Sequence, residues 1–282
     1  MAFTMGMKRG FGRAMMMGTA LLMVAGSALA AAPGYRDADA ENTLVIDTSK
    51  GRIIVEMYPE LAPQHVERMK TLTRQGFYNG LIFHRVIEGF MAQTGDPKGT
   101  GEGGSDLPNV PAEFTVRRDT SFPMTVAASP RGSVIGYLKA MPVQTQSDDL
   151  MAITRDNRVH AWGLYCPGVL GMARAGDADS ANSQFFLMRS YNNVLERKYT
   201  AFGMTLVGLD VVRKLKLGEP PVDPDKMTKV QILADIPEAE RPKVEVMDTS
   251  GSAFKALIEQ KRKENSADFS GCDLSVPARI VE

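Results

Sequence analysis

Residues 83–96 read FHRVIEGFMAQTGD, and this stretch decides the fold. Its residues alternate in the manner of a β-strand, and they place one cation, Arg85, and one amide, Gln93, near the large apolar side chains of Phe90 and Met91. A glycine-rich segment follows at once, so it is predicted to be a loop. A strand that presents a cation and an amide on an apolar surface suits a peptide ligand.

Strand and helix patterns continue on both sides of this stretch. The β-rich runs TLVIDT at 43–48 and IIVEMY at 53–58 flank Gly51, which predicts a hairpin. Apolar residues at helical spacing predict two helices, over 60–75 and 206–217. The other strand-like runs, together with a charged helix, lie at 168–173, 183–188, 230–233, 243–247 and 254–263. Many short strands with two helices predict a mainly β domain, folded as a closed barrel that the helices cap.

The segment from 116 to 159 is harder to assign, because prolines and glycines interrupt its short apolar runs and no period is sustained. We predict an insertion with limited regular structure over about 115–162. One interpretation is a surface elaboration without a role. The other is that the insertion extends the ligand-binding surface or contacts the C-terminal extension, residues 236–282.

The first thirty residues have the composition of an export signal. Lys8, Arg9 and Arg13 precede an uncharged apolar run at 14–25, and residues 28–30 supply the small-x-small pattern of a cleavage site. A run of about a dozen residues covers roughly 18 Å as a helix, short of the ~30 Å hydrocarbon core, so we expect cleavage rather than a retained membrane anchor. The prediction is a periplasmic or secreted protein.

The charge balance argues against several classes of partner. The 282-residue chain has 33 basic and 33 acidic side chains, and removal of residues 1–30 takes away three basic ones, which leaves 30 basic against 33 acidic. A nearly neutral product without basic clusters argues against nucleic acid or an anionic membrane surface as the main target. Proteins or peptides are the expected partners, and we expect a monomer.

The chain has two cysteines, Cys166 and Cys272. In an oxidising compartment they can form one disulfide, which would tie the end of the insertion to the C-terminal extension. An alternative makes Cys166 the nucleophile of a hydrolase, with His84 or His160 as the base. That alternative is weak because Pro167 removes a backbone N–H that could serve an oxyanion, and no hydrolase signature surrounds the cysteine.

Four motifs together resemble the cyclophilin family. They are FHRVIEGFMAQTGD at 83–96, PGVLGMARAG at 167–176, NSQFFLM at 182–188 and KYTAFG at 198–203. The resemblance spans residues 42–235 and is interrupted by the insertion. It implies a closed eight-stranded antiparallel barrel capped by two helices, with no cofactor. It also implies peptidyl-prolyl cis-trans isomerase activity on unfolded or partly folded polypeptides that contain proline.

The chemistry of proline rotation suits the residues in these motifs. Rotation about an X-Pro bond breaks amide resonance across a barrier of about 20 kcal/mol, so a catalyst needs neither a nucleophile nor a metal. In the twisted state the prolyl nitrogen gains a lone pair that a guanidinium can bind. Arg85 is therefore the predicted catalytic residue, as its family counterpart is. A general base such as His84 has no proton to transfer.

The resemblance also assigns the groove that binds the peptide. It implies that eight side chains contact the substrate: Phe90, Met91, Gln93, Ala173, Gln184, Phe186, Leu195 and Tyr199. The pocket for the proline ring would be formed by Phe90, Met91, Phe186 and Leu195, and Gln93 would bond the backbone of the residue before proline. Phe185 and Phe186 are adjacent in a predicted strand and so point to opposite faces, and we expect Phe186 to face the groove.

Two positions depart from the family's pattern. Val194 stands where many relatives have tryptophan, and Tyr199 stands where many have histidine. Tyrosine is a bacterial alternative whose ring still completes the pocket wall, so catalysis should survive. Loss of the indole donor at Val194 predicts weak binding of cyclosporin, which the family holds with that group. The alternative function is a non-catalytic proline-binding chaperone module, against which the retention of Arg85 with its apolar neighbours argues.

Overall fold

The computed structural model describes residues 1–4, 6, 31–265 and 269–281. Residues 8–30, which carry the predicted export signal, lie outside the described residues, so the signal stays a prediction. Among the residues that are described, no helix combines the length and the apolar character needed to cross a membrane.

Residues 31–282 form one compact unit that consists mainly of short β-strands. The strands, in chain order, are β1 (Tyr35–Asp37), β2 (Thr43–Thr48), β3 (Gly51–Met57), β4 (Arg85–Val86), β5 (Met91–Thr94), β6 (Val116–Arg118), β7 (Met124–Ala128), β8 (Ser133–Leu138), β9 (Met141–Gln146), β10 (Val159–Gly163), β11 (Val169–Met172), β12 (Phe185–Met188), β13 (Ala201–Val207), β14 (Met227–Ile232), β15 (Lys243–Met247) and β16 (Ala278–Val281). The α-helices are α1 (Pro63–Arg74), α2 (Leu209–Lys214) and α3 (Ser252–Asn265).

The largest sheet has eight antiparallel strands in the order β14-β2-β3-β13-β11-β12-β5-β4. The predicted hairpin is present, since β2 pairs with β3 along its whole length. The expected closed barrel is wrong, because the edge strands β14 and β4 share no ladder in the described chain. An isolated bridge between Ile82 and Lys226 lies just outside the two strands. Strand β4 has two residues, too few to pair along β14, so the sheet curls but stays open.

Helix α1 packs against β14 of this sheet. Its apolar residues Val66, Met69 and Leu72 are buried at helical spacing, as the sequence predicts. The helix begins at Pro63. Proline is well suited to this position because a backbone N–H in the first turn would form no hydrogen bond within the helix. Its observed extent is three residues shorter at the start than the predicted 60–75.

Helix α2 is much shorter than the predicted 206–217, because the first residues of that stretch still belong to β13. Gly208 lies between the two elements with φ +94° and is the N-cap residue of the helix. A Cβ at this position would collide with the carbonyl oxygen of Arg52, so only glycine fits the turn.

The insertion folds as a second sheet, so the prediction of limited regular structure is wrong. Its five strands are ordered β6-β10-β9-β8-β7, and all neighbours pair antiparallel. Pro130 and Gly132 lie in the turn between β7 and β8, and a Cβ at Gly136 in β8 would collide with the backbone of Thr125. The prolines and glycines therefore mark tight turns and close strand contacts, and the strands between them are too short to display a period.

The C-terminal extension supplies two strands of a third sheet and the helix α3, and it contacts the insertion. Strand β15 pairs with β1 on one side and with β16 on the other. The ring of Phe254 in α3 meets that of Tyr137 in β8 edge to face, with centroids 5.0 Å apart. The Tyr137 hydroxyl donates to the carbonyl oxygens of Gly271 (2.9 Å) and Leu274 (3.1 Å). The insertion therefore contacts the C-terminal extension, as one of the interpretations from sequence expects.

A disulfide joins Cys166, which follows the insertion, to Cys272 in the extension. The two Cα atoms are 5.1 Å apart, within the usual range for a disulfide. Cys166 is buried in an apolar cluster that also contains Met91 and Phe186 from the main sheet and Phe254 from the extension. One core therefore runs from the main sheet through the insertion to the C-terminal extension.

Candidate active site

Three neighbouring strands of the main sheet form the candidate site. Arg85 in β4 lies opposite Gln93 in β5, and Gln93 lies opposite Phe186 in β12. Directly paired residues of antiparallel strands project to the same face, so these three side chains form a row across the sheet. The row borders a cavity of about 140 Å³ lined by Arg85, Phe90, Met91, Gln93, Ala173, Arg174, Phe186 and Tyr199. Seven of the nine predicted site residues line this cavity, which we call the proline cavity.

The Arg85 guanidinium is held on two sides. Its Nε donates to Oε2 of Glu219 at 2.6 Å, and its Nη1 lies 3.5 Å from Oε1 of Gln93. The side chain is 39% exposed, so it remains accessible to a ligand that enters the cavity. The cavity therefore presents the N–H donors of a cation next to apolar side chains.

The wall of the proline cavity is aromatic. Phe186 stacks on Tyr165 with centroids 5.9 Å apart, and it meets Tyr199 edge to face at 6.1 Å. Phe185 points the other way into a second apolar cluster, where its ring meets that of Tyr78 at 5.4 Å. The two adjacent rings therefore separate as strand alternation requires: Phe185 fills the core, and Phe186 faces the cavity.

Gln184 links the site to the glycine-rich loop. Gln93 Nε2 donates to Gln184 Oε1, and Gln184 Nε2 donates to the carbonyl oxygens of Gly101 and Gly103, all three at 2.8 Å. Gln184 lines a second cavity of about 480 Å³ on the loop side rather than the proline cavity. The two cavities share three lining residues, so they adjoin and form one groove.

Asp96 organises the glycine-rich loop. Its buried carboxylate accepts hydrogen bonds from the backbone N–H groups of Lys98 (2.7 Å), Thr100 (2.8 Å) and Gly101 (2.6 Å). Burial alone would raise the pKa of this carboxyl, but the backbone hydrogen bonds outweigh burial and hold the pKa of Asp96 below its usual value. The ionised carboxylate therefore stabilises the loop whose carbonyl oxygens hold Gln184.

Replacing Asp96 with asparagine is expected to destabilise the protein by about 1–3 kcal/mol at pH 7, because an amide nitrogen would face backbone donors. The extra stability of the wild type is fully present above the pKa of Asp96 in the unfolded chain, about 3.9. It is lost as the pH falls through the lower pKa of Asp96 in the folded protein. Denaturant unfolding from pH 7 to pH 2.5 should therefore show the gap between the two proteins closing in acid. Asp106→Asn, at an exposed carboxyl of the same loop, serves as the control and should leave stability nearly unchanged. A pH-independent gap for Asp96→Asn would contradict the assignment.

Leu195 does not line the proline cavity. It lies in a short 3₁₀ helix, Asn193–Leu195, and is buried in the same apolar cluster as Phe186. Its neighbour Val194 is 63% exposed, so this position presents an aliphatic side chain to solvent. In this cluster Leu195 lies with Met91 and Phe186, and its contact with the proline ring stays a prediction.

Two charged residues of the site were not predicted. The guanidinium of Arg174 lies over the ring of Tyr199 at 4.6 Å and near that of Phe114 at 5.5 Å, and Glu219 pairs with Arg85. Arg174 follows the predicted groove residue Ala173 within the motif PGVLGMARAG, and this adjacency in sequence could have indicated that Arg174 lies at the groove. Glu219 is 134 residues from Arg85 in the chain, and no local pattern points to it.

The hydrolase alternative is wrong for the disulfide-bonded protein. The sulfur of Cys166 is bonded to Cys272 and provides no thiolate. His160 lies in the insertion, with Nδ1 3.0 Å from the hydroxyl of Thr115. His84 is buried, and burial lowers the pKa of its ring, which favours the neutral form.

Comparison with known proteins agrees with this geometry. The sequence profile of the family described as cyclophilin type peptidyl-prolyl cis-trans isomerase/CLD matches residues 43–234. A "Probable peptidyl-prolyl cis-trans isomerase" of Brucella suis is 34% identical over 214 residues, which cover 70% of this chain and 86% of the relative. The peptidyl-prolyl cis-trans isomerase ppi1 of Schizosaccharomyces pombe is 31% identical over 193 residues, which cover 67% of this chain and 97% of the relative.

A solved structure is similar over most of the chain. The crystal structure of cyclophilin AquaCyp293 from Hirschia baltica superposes with a TM-score of 0.80 at 36% identity. The superposition covers 87% of this chain and 93% of the other. Residues 43–234 are a smaller part of this chain, so the structural similarity extends beyond the region that matches the family profile. The sequence profile, the curated relatives and the shared fold agree. This chain therefore belongs to the cyclophilin-type peptidyl-prolyl cis-trans isomerases, the enzymes that accelerate rotation about the bond before proline.

Proposed function

We propose that the enzyme lowers the rotation barrier by binding the twisted imide with Arg85, without covalent or metal chemistry. In a planar X-Pro peptide the nitrogen lone pair is delocalised into the carbonyl group. Rotation localises the lone pair on nitrogen, where a guanidinium N–H can donate to it, and the planar ground state offers no comparable acceptor. Because only the twisted state gains this hydrogen bond, the barrier falls in both directions of rotation.

The row formed by Arg85, Gln93 and Phe186 supports this proposal. It brings a cation, an amide and an aromatic ring to one face of three adjacent strands. A proline ring seated against Phe186 and Met91 would lie beside the guanidinium, and the Gln93 amide would bond the backbone of the preceding residue. Cis and trans X-Pro bonds differ by about 0.5–1 kcal/mol, so the site need not prefer either isomer.

Exchange NMR on a short X-Pro peptide tests this function against a module that only binds proline. A catalytic amount of the protein is expected to speed cis-to-trans and trans-to-cis exchange equally and to leave the ratio of isomers unchanged. A binding module would shift the peptide resonances at high protein concentration but exchange the isomers no faster than buffer does. That second result would contradict the proposal.

We infer that the clients are exported polypeptides that contain proline and are unfolded or partly folded, and that the enzyme works in the periplasm or outside the cell. Two features support this: the basic, apolar and small-residue pattern of residues 8–30, and the disulfide, which persists in oxidising compartments. Cell fractionation with mass spectrometry of the N-terminus provides the test. The expected chain begins at Ala31 in the periplasmic or secreted fraction, and a cytoplasmic chain that retains residues 1–30 would contradict the inference.

Cyclosporin is expected to bind weakly, with a dissociation constant above about 1 μM. Val194 offers no indole N–H to the ligand, and Tyr199 is already covered on one face by Arg174 at 4.6 Å. Isothermal calorimetry with the wild type and with Val194→Trp measures the effect. The tryptophan variant should bind more tightly, and a nanomolar constant for the wild type would overturn the expectation.

A further inference from the structure

Glu219 is held beside Arg85 by the backbone of its own loop. Gly218 and Val86 exchange two backbone hydrogen bonds, with Val86 N donating to Gly218 O at 2.8 Å and Gly218 N donating to Val86 O at 2.9 Å. This is an antiparallel bridge, so the residue after Gly218 lies opposite the residue before Val86. Glu219 is therefore placed across from Arg85 by pairing of the main chain.

The loop that carries Glu219 is braced on both sides of the bridge. Gly218 has φ +148°, and a Cβ there would meet the backbone of Pro221 at 2.5 Å, so the turn requires glycine. The Lys216 ammonium donates to the Asp223 carboxylate at 2.6 Å, and the Lys216 backbone N–H donates to Asp225 at 2.9 Å. These contacts hold the backbone of the loop that carries Glu219.

The carboxylate binds the inner nitrogen of the guanidinium, and the outer nitrogen Nη1 lies on the side of Gln93, which lines the proline cavity. Oε2 of Glu219 accepts from Nε of Arg85 at 2.6 Å, whereas Nη1 lies on the side of Gln93. A guanidinium is planar and carries its five N–H groups in a fixed fork, so anchoring Nε orients the other donors. A free arginine side chain samples many rotamers, and ordering it during catalysis would oppose the reaction.

We propose that Glu219 is a positioning residue for the isomerase reaction, which holds the Arg85 guanidinium in the orientation that binds the twisted imide. The proposal rests on the catalytic role proposed for Arg85. The side chains of Arg85 and Glu219 are 39% and 53% exposed, and ion pairs between exposed groups contribute little to stability. The pair therefore has little effect on folding, and its effect on the reaction can be measured separately.

The test measures kcat and KM for a short X-Pro peptide with three variants. Glu219→Ala is expected to lower kcat about tenfold with little change in KM or in the unfolding midpoint, because a misplaced catalytic group loses transition-state binding. Glu219→Gln should retain activity within about threefold of the wild type, since the amide oxygen can still accept from Nε. Asp210→Asn is the matched control, because Asp210 is an exposed carboxylate paired with a lysine on α2, away from the cavity. It should leave both kinetic constants unchanged.

A spectroscopic readout reports the orientation itself. The Nε–H proton of an arginine that is bound to a carboxylate exchanges slowly with water and gives a separate NMR resonance, which Arg85→Lys would identify by its loss. This resonance should broaden or disappear in Glu219→Ala and persist in Asp210→Asn. A sharp Arg85 Nε–H resonance in Glu219→Ala would overturn the positioning role.

The double variant distinguishes this proposal from the role of Arg85. If Arg85→Ala is severely impaired, adding Glu219→Ala should cause no further loss, because the residue that Glu219 positions is already gone. Wild-type kcat in Glu219→Ala, with Arg85→Ala impaired, would reject the positioning role and leave the role of Arg85 standing. A raised kcat in Glu219→Ala would show that the carboxylate competes with the substrate, and would also reject it. Full activity of Arg85→Ala would reject both proposals.

Discussion

Replacing Arg85 with alanine is expected to lower kcat/KM for an X-Pro peptide by about 10²- to 10³-fold, the range seen when a preorganised donor to the transition state is removed. In the proposed mechanism the guanidinium binds the twisted imide and not the planar peptide, so the loss should fall on kcat. The side chain is 39% exposed, and its removal should change the free energy of unfolding little. Exchange NMR for the rate and denaturant unfolding for stability, on the same samples, measure both effects.

Arg85→Lys separates charge from geometry. Lysine keeps one positive charge but lacks the planar fork and the Nε donor that Glu219 accepts from, so its activity is expected to lie between those of alanine and the wild type. Equal activity of the lysine variant and the wild type would mean that a point charge suffices. Wild-type kcat/KM in Arg85→Ala would remove this residue from the mechanism while leaving the family assignment untouched.

Reduction of the Cys166–Cys272 disulfide is expected to lower the free energy of unfolding by up to about 4–5 kcal/mol, the chain-entropy value for closing a loop of roughly one hundred residues. The bond connects residues 106 apart in the chain and joins the end of the insertion to the C-terminal extension. Reduction increases the conformational entropy of the unfolded chain and hardly changes that of the folded chain, so unfolding becomes more favourable. Guanidinium chloride unfolding with and without dithiothreitol measures the change.

Two controls accompany this measurement. Cys166→Ala/Cys272→Ala should unfold at one midpoint whether or not the reductant is present, which separates reduction from other effects of dithiothreitol. Intact-mass analysis after alkylation under non-reducing, denaturing conditions should find no alkylated cysteine in the wild type. Two alkylated cysteines would show that the bond is absent from the purified protein.

Several elements could be predicted from sequence because their signals are local. The hairpin of β2 and β3 follows from two β-rich runs that flank a glycine, and the buried face of α1 follows from apolar residues at helical spacing. The opposite directions of Phe185 and Phe186 follow from the two-residue period of a strand. Arg85 and Gln93 are eight residues apart within one motif and pair directly across two strands.

Other elements could not be predicted, because short strands leave weak signals and because sheet closure depends on distant edges. The insertion contains five strands that the sequence alone does not reveal, since each is only three to six residues long and prolines and glycines interrupt the segment. The sequence predicts a closed barrel, but β4 and β14 share no ladder in the described residues. Whether two edges pair is decided by the curvature that packing imposes on the whole sheet.

The sequence by itself determined the family, the strand that carries Arg85 and the apolar residues that surround it. Only the tertiary structure decided that Glu219 holds the guanidinium, that Gln184 belongs to the neighbouring cavity and that Leu195 lies in the core. The physical reason is that periodicity and turn chemistry act between residues a few positions apart, whereas Glu219 and Arg85 are 134 residues apart. Their contact exists because a backbone bridge between β4 and the loop after α2 brings them together.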